Sequence, residues 1–500
     1  MHFKSLFSLI LLGFSTALLN AATSKPNIVV ILADDMGWGD VSYHGFSDIH
    51  TPHIDNLAAG GVQFSQGYTA ASVCGPSRSG LLTGVYQQKI GVYGNGGSGQ
   101  LNAKQPLLFK SLKAQGYKTA SIGKWGVHVH SETPLPNDNG VDYFYGFLGG
   151  AHDFLKSSLD INNKKKGLLP IYRNKVMQPM IQDDNGYLTD MFSDEAVNFV
   201  ERNSSAPFFL YLAYNAVHSP WQVPQHYLDR LSDLKVNHPD RKVFAGMALA
   251  MDDGIGRVVA KLKEKGVYEN TLIFFLSDNG TPCGQGIGKN AGDKERGGCL
   301  MSNPADLNGF KGDTYEGGTR IPFLVHYPKE LPKGKIYDSP VISYDIAATI
   351  MARLGLNKPG FNAPFDYDGV DLFPYLKGEK TKRPHQVLYW RRGNDYAIRV
   401  GDIKLAYNDQ RGPKTIRMFD LASDPGERHD LVNSMPERAQ ALQDNFDAWD
   451  SQSAPHPVKP LTNRNFKYAQ GDRVKVSGFN QQVLKTPEKT KKKKSKKKKK

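Results

Sequence analysis

What this chain lacks bounds it first. Of its 500 residues only three are cysteine, Cys74, Cys283 and Cys299, too few for a disulfide-stapled scaffold. It has neither Cys-x-x-Cys pairs nor a His-Glu-x-x-His stretch, which removes the common zinc sites. Beyond its first twenty or so residues no apolar run approaches the length of about eighteen that crosses a bilayer, so a polytopic membrane protein is excluded. No internal repeat marks a solenoid or propeller. Nor is the body strongly charged. The formal net charge of +14 includes ten lysines between Lys489 and Lys500, and without these and Lys4 it is 14 − 10 − 1 = +3. The basic balance therefore describes a tail, and no specific nucleic-acid function follows from it.

What is present begins with a leader. Met1-His2-Phe3-Lys4, an apolar block over 6–19 and Asn20-Ala21-Ala22 are the three parts of a secretory signal, so the mature protein is expected to be secreted or periplasmic, and soluble. In an exported protein the natural disulfide pair is Cys283 with Cys299, across a glycine-rich loop, which leaves Cys74 as the odd thiol. The runs Asn27–Ala33, 207–213 and Thr271–Ser277 are continuously apolar and rich in β-branched and aromatic residues, as in strands buried on both faces of a parallel sheet. A helical pattern over 107–114, closed by Gly116, precedes a strand over 117–122 and then Lys124, the rhythm of an α/β fold. Past Pro384 short strands over 386–390, 396–400, 404–407 and 418–421, then a helix over about 436–449, predict a smaller α+β domain. The expected division is a signal over 1–22, an α/β body over 23–380, the smaller domain over 381–460, and an extension over 461–500. The extension ends in a like-charge lysine tail, expected to be disordered and suited to anionic surfaces.

The chemistry gathers at one stretch. Cys74 stands two residues before Pro76, which suits a first helical turn, and Gly84 closes the pattern. A helix starting near Pro76 puts Cys74 at its amino end, where free N–H groups and the helix dipole stabilise negative charge. Arg78, about a turn further on, has a planar fork of donors for a multi-oxygen anion. Two buried runs end in Asp34-Asp35 and Asp278-Asn279, and a third is followed shortly by His218. In open α/β sheets ligands bind beyond the carboxyl ends of the strands, so these residues define one site. One Asp pair alone would be turn chemistry. Three carboxylates and an amide oxygen at equivalent strand ends instead predict a hard cation, Ca²⁺ ahead of Mg²⁺.

Cys74-Gly75-Pro76-Ser77-Arg78 followed by Leu81-Leu82-Thr83-Gly84 closely resembles the signature of the type I, formylglycine-dependent sulfatases. These are the arylsulfatase and N-acetylgalactosamine-6-sulfatase kind of the alkaline phosphatase superfamily. Ile31-Leu32-Ala33-Asp34-Asp35-Met36-Gly37-Trp38-Gly39-Asp40 resembles the family's opening, and Ser277-Asp278-Asn279-Gly280 its second metal motif. Gly309-Phe310-Lys311-Gly312 with Tyr315-Glu316-Gly317-Gly318-Thr319-Arg320-Ile321-Pro322 is similar to a further element, and Asp420 to Glu427 to its C-terminal signature. The likeness spans about residues 25–450. It implies a large mixed, mostly parallel sheet sandwiched by helices, as in alkaline phosphatase, with a smaller C-terminal α+β domain. It implies that a formylglycine-generating enzyme converts Cys74 to the nucleophile. Asp34, Asp35, Asp278 and Asn279, with residue 74, would hold calcium. Arg78, Lys124 and Lys311 would neutralise the sulfate, and His218, at the family's His-x-Pro position, would protonate the departing alcohol. The implied substrate is a sulfate ester, of a carbohydrate.

One departure stands out. The family reads Gly-Lys-Trp-His where this chain has Gly123-Lys124-Trp125-Gly126-Val127-His128-Val129-His130. Gly126 cannot act as a base, which leaves His128 or His130, or another group, with His128 a weak candidate; both histidines read better as exposed strand or loop residues. Two other functions stay open. One is a phosphomonoester or phosphodiester hydrolase of the same superfamily, against which Cys74 stands because an alcohol side chain would more usually serve. The other is an inactive binder of sulfated glycans, suggested by Gly126 and the lysine tail. His152 and Asp153 are read as ordinary loop residues beside the pocket.

Overall fold

The run Asn27–Ala33, buried at all seven positions, forms an inner strand of a ten-stranded sheet. The computed structural model describes residues 25–95, 106–127, 135–160, 168–182, 186–236, 238–282, 301–356, 367–408, 415–453, 466–467 and 473–474. The leader, His128, His130, Cys283, Cys299 and the lysine tail lie outside the described residues. Across the sheet the order is Lys335–Tyr337, Val62–Phe64, Phe323–His326, Thr271–Ser277, Asn27–Ala33, Phe208–Ala213, Lys118–Lys124, Tyr143–Phe147, and two short edge strands, Tyr172–Arg173 and Val176–Met177. The four strands from Thr271–Ser277 to Lys118–Lys124 run parallel, and Phe323–His326 is antiparallel to its neighbours.

Alternate residues of one strand serve two cores, as the two-residue period of a strand requires. Val29, Ile31 and Ala33 belong to a core with Phe192, Ala248 and Met251, from the helices Leu188–Asn203 and Pro239–Glu264. Ile28, Val30 and Leu32 belong to another with Leu81, Phe109 and Ile346, from the helices Cys74–Thr83, Leu108–Ala114 and Asp345–Arg353. Helices therefore cover both faces of a mixed, mostly parallel sheet, the architecture expected from the sequence.

The smaller sheet is antiparallel: Val387–Arg392, Asp395–Val400, Ile403–Tyr407 and Ile416–Asp420 in sequence order. One face packs Tyr396, Ile398, Leu405 and Met418 against Leu442 and Phe446 of the helix Pro436–Asp450. The other face places Leu388, Trp390, Ala397 and Phe419 against Tyr68, Ala70 and Tyr344. That second face covers the segment leading into Cys74, and the Trp390 indole donates to the Thr69 carbonyl at 2.9 Å. No helix among the described residues is long and apolar enough to cross a membrane.

Candidate active site

Four neighbouring parallel strands deliver the polar residues to one edge. Pairing continues past the strand ends: the Asp278 amide donates to the Ala33 carbonyl at 3.0 Å, Asp34 to Ala216 at 2.9 Å, and Val217 back to Asp34 at 2.9 Å. Asp34-Asp35, Asp278-Asn279 and His218 therefore leave the sheet side by side, with Lys124 the last residue of the next strand. Asp35 adopts a left-handed φ of 65°, a conformation that Asp tolerates better than most residues. Its amide donates to Asp278 Oδ1 at 3.2 Å.

Each buried carboxylate has its own nearest cation, and Arg78 also reaches Asp34, its Nη2 lying 3.8 Å from Oδ1. Lys124 Nζ lies 2.6 Å from Asp34 Oδ2, Lys311 Nζ 2.5 Å from Asp35 Oδ1, and Arg78 Nη2 2.8 Å from Asp278 Oδ2. Arg78 Nε also donates to Asp278 at 2.9 Å, while its Nη1 donates to the Lys124 carbonyl at 2.9 Å. His218 Nε2 stands 3.5 Å from Asp35 Oδ2, and the Asn279 amide donates to Asp35 Oδ1 at 2.8 Å. Three carboxylates thus balance three fixed cations. A divalent ion would leave the site two charges positive, the sign that an anionic substrate needs.

Burial governs the protonation of this cluster. It pushes Asp34 up to about 7, against the pull of Lys124 and with the push of Asp278. Burial also pushes Asp35 up, but Lys311, His218 and Lys124 together outweigh it and hold that carboxyl well below the usual range. His218 is lowered to about 4 by burial, against the attraction of Asp35. Its Nδ1 faces the Ser219 carbonyl at 2.6 Å. A carbonyl only accepts, so Nδ1 carries a proton and Nε2 is the atom turned to the site.

The donor set fits a hard cation. Asp34 Oδ1 and Asn279 Oδ1 are buried oxygens with no hydrogen-bond partner, a costly arrangement that a metal ion would relieve. The ligand atoms of Asp34, Asp35 and His218 lie within 4.8 Å of one another. His218 thus lies beside the carboxylates that could hold an ion.

The Cys74 helix starts at Cys74 itself, with Val73 as its extended N-cap and Gly84 closing it in a left-handed conformation, slightly ahead of the start near Pro76 that proline placement suggested. The Thr69 hydroxyl ties this helix to the metal strand, since it bonds to Ser77 Oγ and to the Asp278 carbonyl. Cys74 is a buried free thiol, within electrostatic reach of Arg78 and Lys311. Gly126, at φ +56°, abuts the same group: a Cβ there would lie 3.1 Å from Lys124 Cε and 3.2 Å from Arg78 Cδ. His128, the weak substitute base, falls outside the described residues. His152 is buried with its ring nitrogens on the carbonyls of Asp153 and Leu169, at 2.6 and 2.8 Å, and Asp153 accepts from the Leu155 and Lys156 amides. Both are loop chemistry.

Sequence reasoning missed Asn95. Its Nδ2 donates to Cys74 Sγ at 3.4 Å, and its Oδ1 accepts from the Gly75 amide at 3.1 Å. Gly94-Asn95-Gly96 reads as a turn, and nothing local to it points 21 residues back to Cys74.

Known proteins resemble this chain over most of its length. A family model described as Sulfatase matches residues 26–356, and one described as N-sulphoglucosamine sulphohydrolase, C-terminal, matches 311–449. The arylsulfatase of Hemicentrotus pulcherrimus is 32% identical over 410 residues, covering 77% of this chain and 68% of that protein. The N-acetylgalactosamine-6-sulfatase of Sus scrofa is 29% identical over 476 residues, covering 84% of each. Among solved structures, Ps i-CgsB in complex with k-i-k-neocarrahexaose superposes with a TM-score of 0.74 at 33% identity, over 86% of this chain and 94% of that one.

Proposed function

The chain belongs to the sulfatase family and is a sulfuric ester hydrolase, and from that premise we propose that it desulfates a sulfated carbohydrate, using a formylglycine made from Cys74 beside a calcium ion. The observation that carries this reading is the convergence of Cys74, three paired carboxylates and three cations at one sheet edge. A carbohydrate substrate is supported by the relative that acts on N-acetylgalactosamine 6-sulfate and by the oligosaccharide complex of a protein this chain resembles over most of its length. The phosphate-ester alternative is not favoured, since the matching family model and these relatives are sulfatases. An inactive glycan binder is not favoured either, since the matching family and these relatives are sulfate-ester hydrolases.

Formylglycine, in its hydrated form, supplies one oxygen to attack sulfur and a second through which the sulfate is released. Asp34, Asp35, Asp278 and Asn279 would hold the calcium ion, which would supply charge neutralisation at the sulfate oxygens. The chain's own groups do the rest. Arg78, Lys124 and Lys311 bind and orient the sulfate, each pre-set by its carboxylate so that little reorganisation accompanies the reaction. His218 keeps Nε2 toward the departing oxygen through its Nδ1–H bond to Ser219; it serves as the acid there in its doubly protonated form, whose charge the Asp35 carboxylate 3.5 Å away favours. We further propose export by the N-terminal leader, maturation by a formylglycine-generating enzyme, and contact of the lysine tail with anionic surfaces.

A peptide mass spectrum over residue 74, on protein from its own host or co-expressed with that maturation enzyme, is expected to show the loss that converts CH₂SH to CHO. The same preparation should turn over an aryl sulfate far faster than an aryl phosphate. An unmodified thiol together with no aryl sulfate turnover overturns the reading. Assays on carrageenan oligosaccharides and on N-acetylgalactosamine 6-sulfate would then select the sugar.

Removal of the metal gives a second expectation. Dialysis against a chelator should lower kcat by at least about 100-fold, the scale on which electrostatic stabilisation acts, and lower the melting temperature. Calcium added back should restore both, since a ligand that binds only the folded state stabilises it. Full turnover at a metal content shown to be nil would contradict it.

A further inference from the structure

Position 126 carries no side chain; its backbone lies against Lys124 and Arg78, and Arg78 is within electrostatic reach of the reacting group at residue 74. Asn95 approaches that group from elsewhere. After Gly84 the chain turns through Gln87–Ile90, is reversed at Gly91 with φ 76°, and runs back toward the amino end of the Cys74 helix. The return is anchored. Gln87 donates to the Ala70 carbonyl at 3.2 Å and Gln88 to the Arg391 carbonyl at 2.9 Å. Val85, Ile90 and Val92 form a small buried cluster, and Tyr93 is buried under the Arg391 guanidinium at 5.3 Å. Asn95 is exposed, but its backbone is delivered by buried neighbours.

The orientation of its amide is determined by chemistry. The Gly75 N–H can only donate, so the atom facing it is Oδ1, and Nδ2–H therefore faces residue 74. Cys74 Sγ stands in here for an oxygen on Cβ of formylglycine hydrate. We propose that Asn95 is a positioning residue for the nucleophile, holding through Nδ2–H the oxygen that does not attack sulfur and so aiming the other one.

The same bond acts in sulfate release. The held hydroxyl loses its proton to water, its electron pair closes the C=O bond, and the C–O bond to sulfate breaks with its pair leaving on sulfate. A donor fixed on that oxygen stabilises the charge that develops as the proton leaves. Asn95 accepts no proton, so it assists this step without replacing the missing base.

The inference rests on the proposed sulfatase reading, and the test separates the two. Asn95→Ala and the near-isosteric Asn95→Asp, which replaces the donor by an acceptor, are compared with the parent per mole of formylglycine by peptide mass. Turnover by the parent tests the function, and the variants test Asn95. The expected result is a fall in kcat of about tenfold or more in both variants, with KM falling alongside it as release becomes limiting and melting temperature unchanged. The residue-74 peptide heavier by one SO₃ should also accumulate at steady state, which a merely structural change would not produce. An active parent with variants whose kcat lies within twofold of it, or a lowered kcat without the sulfated peptide, overturns the proposal.

Discussion

Cys74→Ala is expected to abolish aryl sulfate turnover, by at least about 10⁴-fold in kcat, the scale of removing a covalent nucleophile, while the fold persists. Cys74 is buried, but the substitution deletes a single sulfur at the first turn of a helix whose other anchors remain. These are the Thr69 bridge from Ser77 to Asp278, the Gly84 cap, and Leu81 and Leu82 in the core. Losing one buried heavy atom costs about 1 kcal/mol. The three ion pairs of the site do not involve the thiol, so charge balance is untouched. Lys124→Ala would be a poorer test, because it would strand the buried Asp34 carboxylate and mix a folding defect with the chemical one. Activity measured beside a thermal melt checks the prediction. Residual turnover within 100-fold of the parent would mean that the nucleophile lies elsewhere.

The site was legible where one physical rule governs a whole segment. Asn27–Ala33 and Thr271–Ser277 are buried on both faces and so read as unbroken apolar runs, and the residues that end such runs in a parallel sheet face the ligand edge. Asp34, Asp35, Asp278 and Asn279 followed from that alone, and the structure pairs those two strands residue by residue. Lys124 and Lys311 needed the family likeness, since a single lysine after a strand or in a glycine-rich loop carries no local signal. The helix Pro239–Glu264 went unread because buried polar residues interrupt its apolar face. One of them, Asp252, accepts from the amides of His53 and Ile54 at 3.0 and 2.8 Å. It caps the helix Pro52–Ala59 from about two hundred residues away, an interaction that no window of sequence contains. Asn95 was hidden for the same reason. The short strands of the smaller sheet were read correctly, but not that Trp390 and Leu388 on one of its faces pack on the approach to Cys74.

Lys404→Met is expected to lower stability by about 3–5 kcal/mol, the cost of leaving buried charge uncompensated. Lys404 Nζ sits 2.8 Å from Glu316 Oε1 and 3.0 Å from Glu427 Oε1, with all three side chains fully buried. Glu316 also accepts from Tyr68 Oη at 2.7 Å, and its amide donates to Glu427 at 2.8 Å. Burial pushes Glu427 up to about 7, with Lys404 opposing and Glu316 adding to it. For Glu316 burial pushes the same way, but Lys404, Arg320 and Arg399 outweigh it and hold that carboxyl below its ordinary value. Without the lysine the Glu427 carboxyl, already raised by burial, rises further above its unfolded value, so the folded form binds more protons between the two. Stability then falls as pH rises through that window. The deficit of the variant should therefore be largest at pH 8 and shrink toward pH 5. Denaturant unfolding at the two pH values measures it, and a deficit below 1 kcal/mol at pH 8 would refute the buried triad. The triad also bears on function, because it fastens the smaller sheet to the loop that carries Lys311. The Lys311 amide donates to the Thr281 carbonyl at 2.7 Å, Gly312 to Ser72 at 2.8 Å, and Arg392 of the smaller sheet to the Gly312 carbonyl at 2.8 Å. A loosened seam frees Lys311 before the central sheet melts, so the variant should lose turnover on heating below the temperature at which its helical signal is lost, whereas the parent loses both together.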